Sequence, residues 1–257
     1  MNAILKYILK NGVRDRLYIG LFVSLIITFG VSVFLGSTML VEQQATTVVF
    51  IAGSSRVILA VGMILFVCLS INRAFENKEV EFILSKAISR QQFVLAYLIG
   101  FFVTSLLIFI PLAIAVFLIS NADKIADKMG LIIWLITLLL ENFLVIIFAL
   151  LVSLILKNSF SAIMASFAFY IIARLMGMFV MAIKLPQDIA LIKNNFLAII
   201  LKFFSVLFPR LDLFAQSSWL IYGFKDYSQL SIILLQFFIY FLLLIFMSFH
   251  DFKKKQF

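Results

Sequence analysis

Residues 46–71 read TTVVFIAGSSRVILAVGMILFVCLSI, and residues 72–93 continue as NRAFENKEVEFILSKAISRQQF. The first stretch is an apolar run broken by one charge, Arg56. A helix crossing a bilayer needs about 20 such residues, so the run is long enough to span. The second stretch carries Arg73, Glu76, Lys78, Glu79, Glu81, Lys86 and Arg90 within 22 residues. So abrupt a change from apolar to charged marks a helix leaving lipid at a membrane surface.

Working outward, the same alternation recurs along the whole chain. Apolar runs bounded by charges predict six spans, at about Leu17–Gly36, Thr46–Ile71, Gln92–Ser120, Leu131–Leu156, Phe160–Ile183 and Leu230–His250. Composition agrees: 65% of the 257 residues are hydrophobic and only 13% are charged, with a mean hydropathy of +1.19. Soluble domains are roughly 45–50% apolar and about 25% charged. The expected fold is therefore all-α integral membrane, a single domain over residues 1–257 without internal repeats or linkers. The first run is too long for a signal h-region and lacks a small-x-small cleavage pattern, so it is expected to be retained. One cysteine, Cys68, excludes an internal disulfide framework and a cysteine-rich metal site, and the one histidine, His250, sits at the C-terminal edge.

The formal charge of +9 maps sidedness. Lys6, Lys10, Arg14, Arg16, Arg73, Lys78, Lys86, Arg90, Lys157, Lys253, Lys254 and Lys255 fall on one side, which nets +7 after its five acids, against +1 on the other. Basic loops are cytoplasmic, so both termini are expected inside, in a multi-pass protein of the cytoplasmic (inner) membrane. The basic residues are dispersed, which argues against nucleic-acid binding.

Two segments outside the spans carry helical amphipathicity. In Ala3–Lys10, Ile4, Leu5, Ile8 and Leu9 share a face with Lys6 and Lys10 off it, which predicts an interfacial N-terminal helix. In the 72–93 segment, Val80, Ile83, Leu84, Ala87 and Ile88 form one apolar stripe. Phe75 and Phe82, seven apart, are expected on the side opposite it, either loosely exposed or seated in a partner's groove.

Arg73, Glu76, Glu79 and Glu81, followed by Phe82-Ile83-Leu84-Ser85, Ile88-Ser89-Arg90 and Phe93-Val94-Leu95, resemble the corresponding stretch of the permease subunits of ABC-2-type transporters. These are the six-span exporters of the ATP-binding cassette superfamily. Leu207-Phe208-Pro209 with Leu211-Asp212-Leu213-Phe214 is similar to that family's Leu-Pro segment before the last span. The chain departs from the pattern at Val80-Glu81-Phe82, where the family usually has Gly-Thr-Leu, so continuous helix is possible in place of a turn. The resemblance implies a cytoplasmic coupling helix around Phe75, Glu76, Glu79, Phe82, Ser89 and Arg90, seated on a separate ATPase subunit present in two copies. It also implies export, a second permease copy or paralogue as partner, and short re-entrant or interfacial helices between spans five and six. ATP and magnesium would be bound by the partner ATPase, with no cofactor, catalytic residue or metal ligand on this chain. The sequence agrees in having no G-x-x-x-x-G-K-[ST] phosphate loop.

Between spans five and six, the run Phe196–Phe208 is too short to cross, Pro209 ends it, and Trp219 and Tyr222 are expected to anchor at the interface. Arg56, Glu141 and Arg174 lie within the spans, each about 15 Å from the outer end at 1.5 Å per residue. Equal depth lets Glu141 pair with Arg174 or with Arg56. Such charges either fix helix packing or line a substrate path. Ala162, Ser166, Ala173 and Gly177 are spaced four, seven and four, a small-residue face that permits close helix approach. The resembling family uses spans one and five as its interface between permeases, which would make these four a dimer interface. Two other classes compete: a polytopic acyl or glycosyl transferase, and a secondary transporter. The first would need convergent acids, bases or nucleophiles, and the second would show related halves.

Overall fold

The computed structural model describes residues 2–14, 16–39, 42–85, 89–122, 127–156, 158–184, 199, 203–204 and 206–254. Six of its helices are long and apolar enough to cross a membrane. They are α2 (Leu17–Ser37), α3 (Gln43–Glu76), α5 (Arg90–Ala122), α6 (Lys128–Ile155), α7 (Ser159–Lys184) and α9 (Tyr227–Lys254). Shorter helices precede and connect them: α1 (Asn2–Arg14), α4 (Glu79–Ser85) and α8 (Ser218–Tyr222), with a 3-10 turn at Leu211–Leu213. No strand occurs among the described residues.

Each span matches an apolar run, and the ends differ for local reasons. α3 continues beyond Ile71 to Glu76 because Asn72 and Ala74 are buried by neighbouring helices rather than by lipid. At 1.5 Å per residue its 34 residues reach about 50 Å, well past an apolar core of about 30 Å. α5 begins at Arg90 because Ser89 and Gln92 form a reciprocal cap. The Ser89 N–H donates to Gln92 Oε1 at 3.0 Å, and the Gln92 N–H donates to Ser89 Oγ at 3.3 Å.

α6 is the most buried of the six spans and α9 the most exposed. α3, α5, α7 and α9 all pack on α6, while α2 leans on α3 and leaves Ile19, Ile26, Ile27 and Phe34 exposed. Lipid is as apolar as leucine, so close packing and hydrogen bonds, not water exclusion, hold such spans together. Gly130 shows how close: a Cβ there would strike the backbone carbonyl of Trp219, so only glycine lets α8 sit on the first turn of α6. Asp127 caps that turn by accepting from the Gly130 N–H at 2.8 Å.

At the opposite end of the bundle, α1 packs on α5 and α2. Ile8 is buried against Gly100, while Lys6 and Lys10 are exposed. α4 is continuous helix through Val80-Glu81-Phe82. Val80 is buried and Ile83 packs on the core; the Leu84 side chain and all of Ala87 and Ile88 lie outside the described residues. So does most of the run Phe196–Phe208, as do Asp15, Lys86, Lys157 and Lys255 from the charge map.

The expectation that Phe75 and Phe82 project from one face fails. Lys78 adopts a left-handed conformation (φ 56°) that ends α3 and starts α4 on a new axis, so a seven-residue spacing across it carries no helical meaning. Phe75 packs half-buried on the core from α3, and Phe82 is 63% exposed on α4.

Candidate functional site

The buried charges meet at one level of the bundle. Arg56 is on α3, Glu141 on α6 and Arg174 on α7, each more than two turns inside its helix. Glu141 is 1% exposed, and its Oε2 lies 3.7 Å from Arg174 Nη1. Of the two pairings open to Glu141, this ion pair is the one formed. Arg56 lines the same pocket as Glu141, together with Leu59, Ala60, Leu138 and Asn142. Tyr170 of α7 sits beside the carboxylate. Asn142, one residue on, donates from Nδ2 to Ser105 Oγ on α5 at 2.6 Å.

Both arginines spend their hydrogen bonds elsewhere. Arg174 Nη1 donates to the carbonyls of Leu211 and Phe214, the latter at 3.1 Å. Arg56 Nη1 donates to the Ala215 carbonyl at 3.0 Å, which also accepts from Trp134 Nε1 at 3.1 Å. The Ala215 N–H in turn donates to Thr137 Oγ1 at 3.1 Å. Residues 211–215 thus form a turn inserted among α3, α6 and α7, and four side chains satisfy its backbone. Such irregular backbone can lie among spans only where protein satisfies it. Ala215 itself is left-handed (φ 44°), a conformation that a non-glycine residue holds only when its surroundings fix it. Leu211, Phe214 and Ala215 are completely buried.

Glu141 then balances the two guanidiniums that grip the turn. Neither of its oxygens accepts a hydrogen bond from a described residue, so its contribution is Coulombic. Breaking such a buried pair from one side costs about 3–5 kcal/mol. The side chains leave no cavity beside Arg56 and Glu141, while the Arg174 side chain stays 23% exposed. Chemically, this arrangement positions backbone.

The small residues of α7 face inward. Ala162, Ser166 and Ala173 are buried within the chain. Ser166 Oγ lies 3.7 Å from Cys68 Sγ on α3. Gly177 makes room for the Asp212 carboxylate, which is itself 2.8 Å from Arg210 Nη2. The close approach that their spacing predicts is therefore made to α3 and to the inserted turn. The face of α7 left for any other protein is the opposite one, with Phe160, Met164, Ile171 and Met178.

The residues of the 72–93 segment separate. Glu79 accepts the Tyr7 hydroxyl at 2.7 Å on both oxygens, which ties α4 to α1. Burial is the main cause that raises the Tyr7 hydroxyl's pKa above its ordinary value, and the Glu79 charge adds to it. Ser89 caps α5, and Arg90 Nη1 donates to the Lys253 carbonyl at 2.7 Å at the end of α9. Glu76 is exposed on the last turn of α3. Trp219 is buried edge-on to Phe224 at 5.1 Å rather than anchoring at a surface, whereas Tyr222 is 70% exposed.

Sequence reasoning missed Trp134, Thr137 and Tyr170 as members of the buried cluster. The available signal was weak: a tryptophan and a threonine three apart on the helix that carries Glu141. Among the described residues no three His, Cys, Asp or Glu side chains gather as a metal site would require. No family model matches the chain, and no curated protein matches it.

Proposed function

We propose that the chain is the membrane-spanning permease subunit of an ABC-2-type ATP-binding cassette transporter, working as an exporter with two copies of a separate ATPase and a second permease copy or paralogue. One observation carries the reading. A short helix, α4, stands between the second and third spans at the bundle end where α1 starts and α9 finishes, with Phe82 63% exposed on it. In this reading α4 is the coupling helix, α1 lies at the cytoplasmic membrane surface, and ATPase closure moves α4 against the spans. Hydrogen bonds from α1 to Glu79 and from Arg90 to α9 support it, because they join the seat of the ATPase to both chain ends. The motif-bearing turn at 211–214, held by Arg174, supports the assignment of the Leu-Pro segment before the last span. The Arg56–Glu141–Arg174 cluster is then a packing element of the permease.

Purification in mild detergent from the native host tests this. A co-purifying ATPase carrying a phosphate-loop motif is expected, and Phe82→Asp should release it while the permease stays folded. A chain that purifies without any such ATPase, or Phe82→Asp retaining it at wild-type level, overturns the docking reading.

A further inference from the structure

A cavity of about 650 Å³ lies between α9 and the α6–α7 pair, flanked by residues 206–210. Phe148 and Leu151 of α6 and Phe169 of α7 form one wall, where Phe148 and Phe169 stack with ring centroids 3.7 Å apart. α9 supplies another wall as a stripe running from Ile232 to Met247, about 22 Å at 1.5 Å per residue. Ile239 and Leu243 line the cavity and are also exposed on α9, so it opens sideways from the spans, toward the bilayer.

Three of the lining side chains are polar, and two of them are occupied. Arg210 donates to the Asp212 carboxylate from Nε and Nη2, at 3.4 and 2.8 Å, and the Tyr240 hydroxyl donates to the Val206 carbonyl. Gln236, half-buried on α9, has no hydrogen-bond partner for its amide among the described residues. It lies six residues into the apolar run that begins at Leu230, about 9 Å below the end of that run. Hydrocarbon offers an amide nothing to bond, so a ligand that satisfies Gln236 is rewarded at that depth.

The ligand is defined by length, charge and hydrogen-bonding pattern. From Gln236 to Met247 the stripe runs about 16 Å, close to half of a bilayer core of about 30 Å and so to the reach of one lipid chain. The volume falls within the roughly 300–1,000 Å³ of sites that enclose a ligand. Arg210 is neutralised by Asp212, and no other charged side chain lines the cavity among the described residues, so the polar end of the ligand must be uncharged. A phospholipid would have to drag its phosphate charge deep into hydrocarbon to reach Gln236, which excludes its headgroup. An amide presents both donor and acceptor, and a single hydroxyl answers both by accepting from Nε2 and donating to Oε1.

We propose that this cavity binds an uncharged long-chain alcohol, its hydroxyl on the Gln236 amide and its chain laid along α9 toward Met247. Such a site requires only a chain that spans a membrane, so its failure leaves the transporter reading standing, and the reverse.

The full chain in phosphatidylcholine nanodiscs is irradiated with hexadecanol carrying a diazirine at mid-chain, and adducts are mapped by peptide mass spectrometry. Adducts are expected on α9 between Ile239 and Met247 and on Phe148 or Leu151 of α6. Unlabelled hexadecanol should compete at least about fivefold better than hexadecane, the worth of one neutral hydrogen bond. Gln236→Leu should abolish that preference. Ile239→Trp, which fills the mouth, should cut labelling at least about fivefold, whereas Leu242→Trp, exposed on α9 but outside the lining, should leave it unchanged. Melting of each variant controls for folding, and Gln236→Leu carries the test if Ile239→Trp melts early. Equal competition by hexadecane overturns the proposal, as does a preference retained in Gln236→Leu. Adducts spread evenly over the exposed faces of α2 and α9 assign the label to bulk lipid and overturn it too. Hexadecanoate or its methyl ester competing as well as the alcohol gives the cavity to a different head group and overturns the alcohol.

Discussion

Two regions of this protein use the same residue types to opposite ends. At mid-bundle, Arg56, Arg174 and Glu141 are enclosed by α3, α6 and α7, and the guanidiniums hold backbone carbonyls of the 211–215 turn. At the α1/α4 end, Arg14, Arg73 and Glu79 line a cleft open to solvent, and the carboxylate holds a tyrosine hydroxyl. The first arrangement fixes structure, because removing Arg174 or Glu141 strands the other member of the ion pair. The second can exchange partners, because water covers any one that is lost. Environment, rather than residue type, decides which arginine is structural.

Substitution of Arg174 should expose this contrast most strongly. Arg174→Leu removes the donor to Leu211 and Phe214 and leaves Glu141 buried without its partner, for a loss of about 3–5 kcal/mol. The double change Glu141→Leu with Arg174→Leu should recover only part of that in detergent unfolding, since the Phe214 carbonyl still lacks its donor while Leu211 keeps the Phe214 N–H. Full recovery would mean that the ion pair alone matters and the turn does not. A smaller effect is expected at the α8 contact. Gly130→Ala drives a Cβ into the Trp219 carbonyl and should cost about 1–3 kcal/mol, visible as a lower melting temperature. No change would show that α8 yields freely.

The smallest effect belongs to the exposed region. Tyr7→Phe should cost under about 1 kcal/mol, yet raise amide exchange in α1 selectively. The pH dependence has a definite sign. The folded hydroxyl has a pKa raised above the ordinary value of 10.0, so its contribution is full below pH 10 and is lost as pH rises through the folded value. Protection of α1 should therefore fall above about pH 10 in the wild type more steeply than in Tyr7→Phe. Parallel curves would remove Tyr7 from the link.

Much of this architecture could be read from the chain, and the unread part has physical causes. Six apolar runs gave six long helices because lipid imposes a length and a composition that sequence displays openly. The common depth of Arg56, Glu141 and Arg174 followed from counting residues at helical rise, which needs no tertiary knowledge. Their actual hydrogen-bond partners did not follow, because the carbonyls of Leu211, Phe214 and Ala215 exist at every position and carry no side-chain signature. The small residues of α7 announced a close approach without saying to what, and Asp212 and α3 lie far away in sequence. Phe75 was misplaced because one left-handed residue, Lys78, resets the helical phase, and a lysine gives no warning of that.

The order in which the chain is synthesised gives the mid-bundle arginines different histories. Glu141 and Arg174 lie on neighbouring helices whose ends, Ile155 and Ser159, are four residues apart in sequence. They can enter the bilayer together as a neutralised hairpin. Arg56 has no such companion: its carbonyl acceptor, Ala215, is 159 residues further along. An isolated arginine at mid-bilayer costs about 2.5–3.5 kcal/mol on insertion scales. The second span must carry that burden until the ribosome has delivered the turn, which makes synthesis through Ala215 a condition for seating the middle of the bundle.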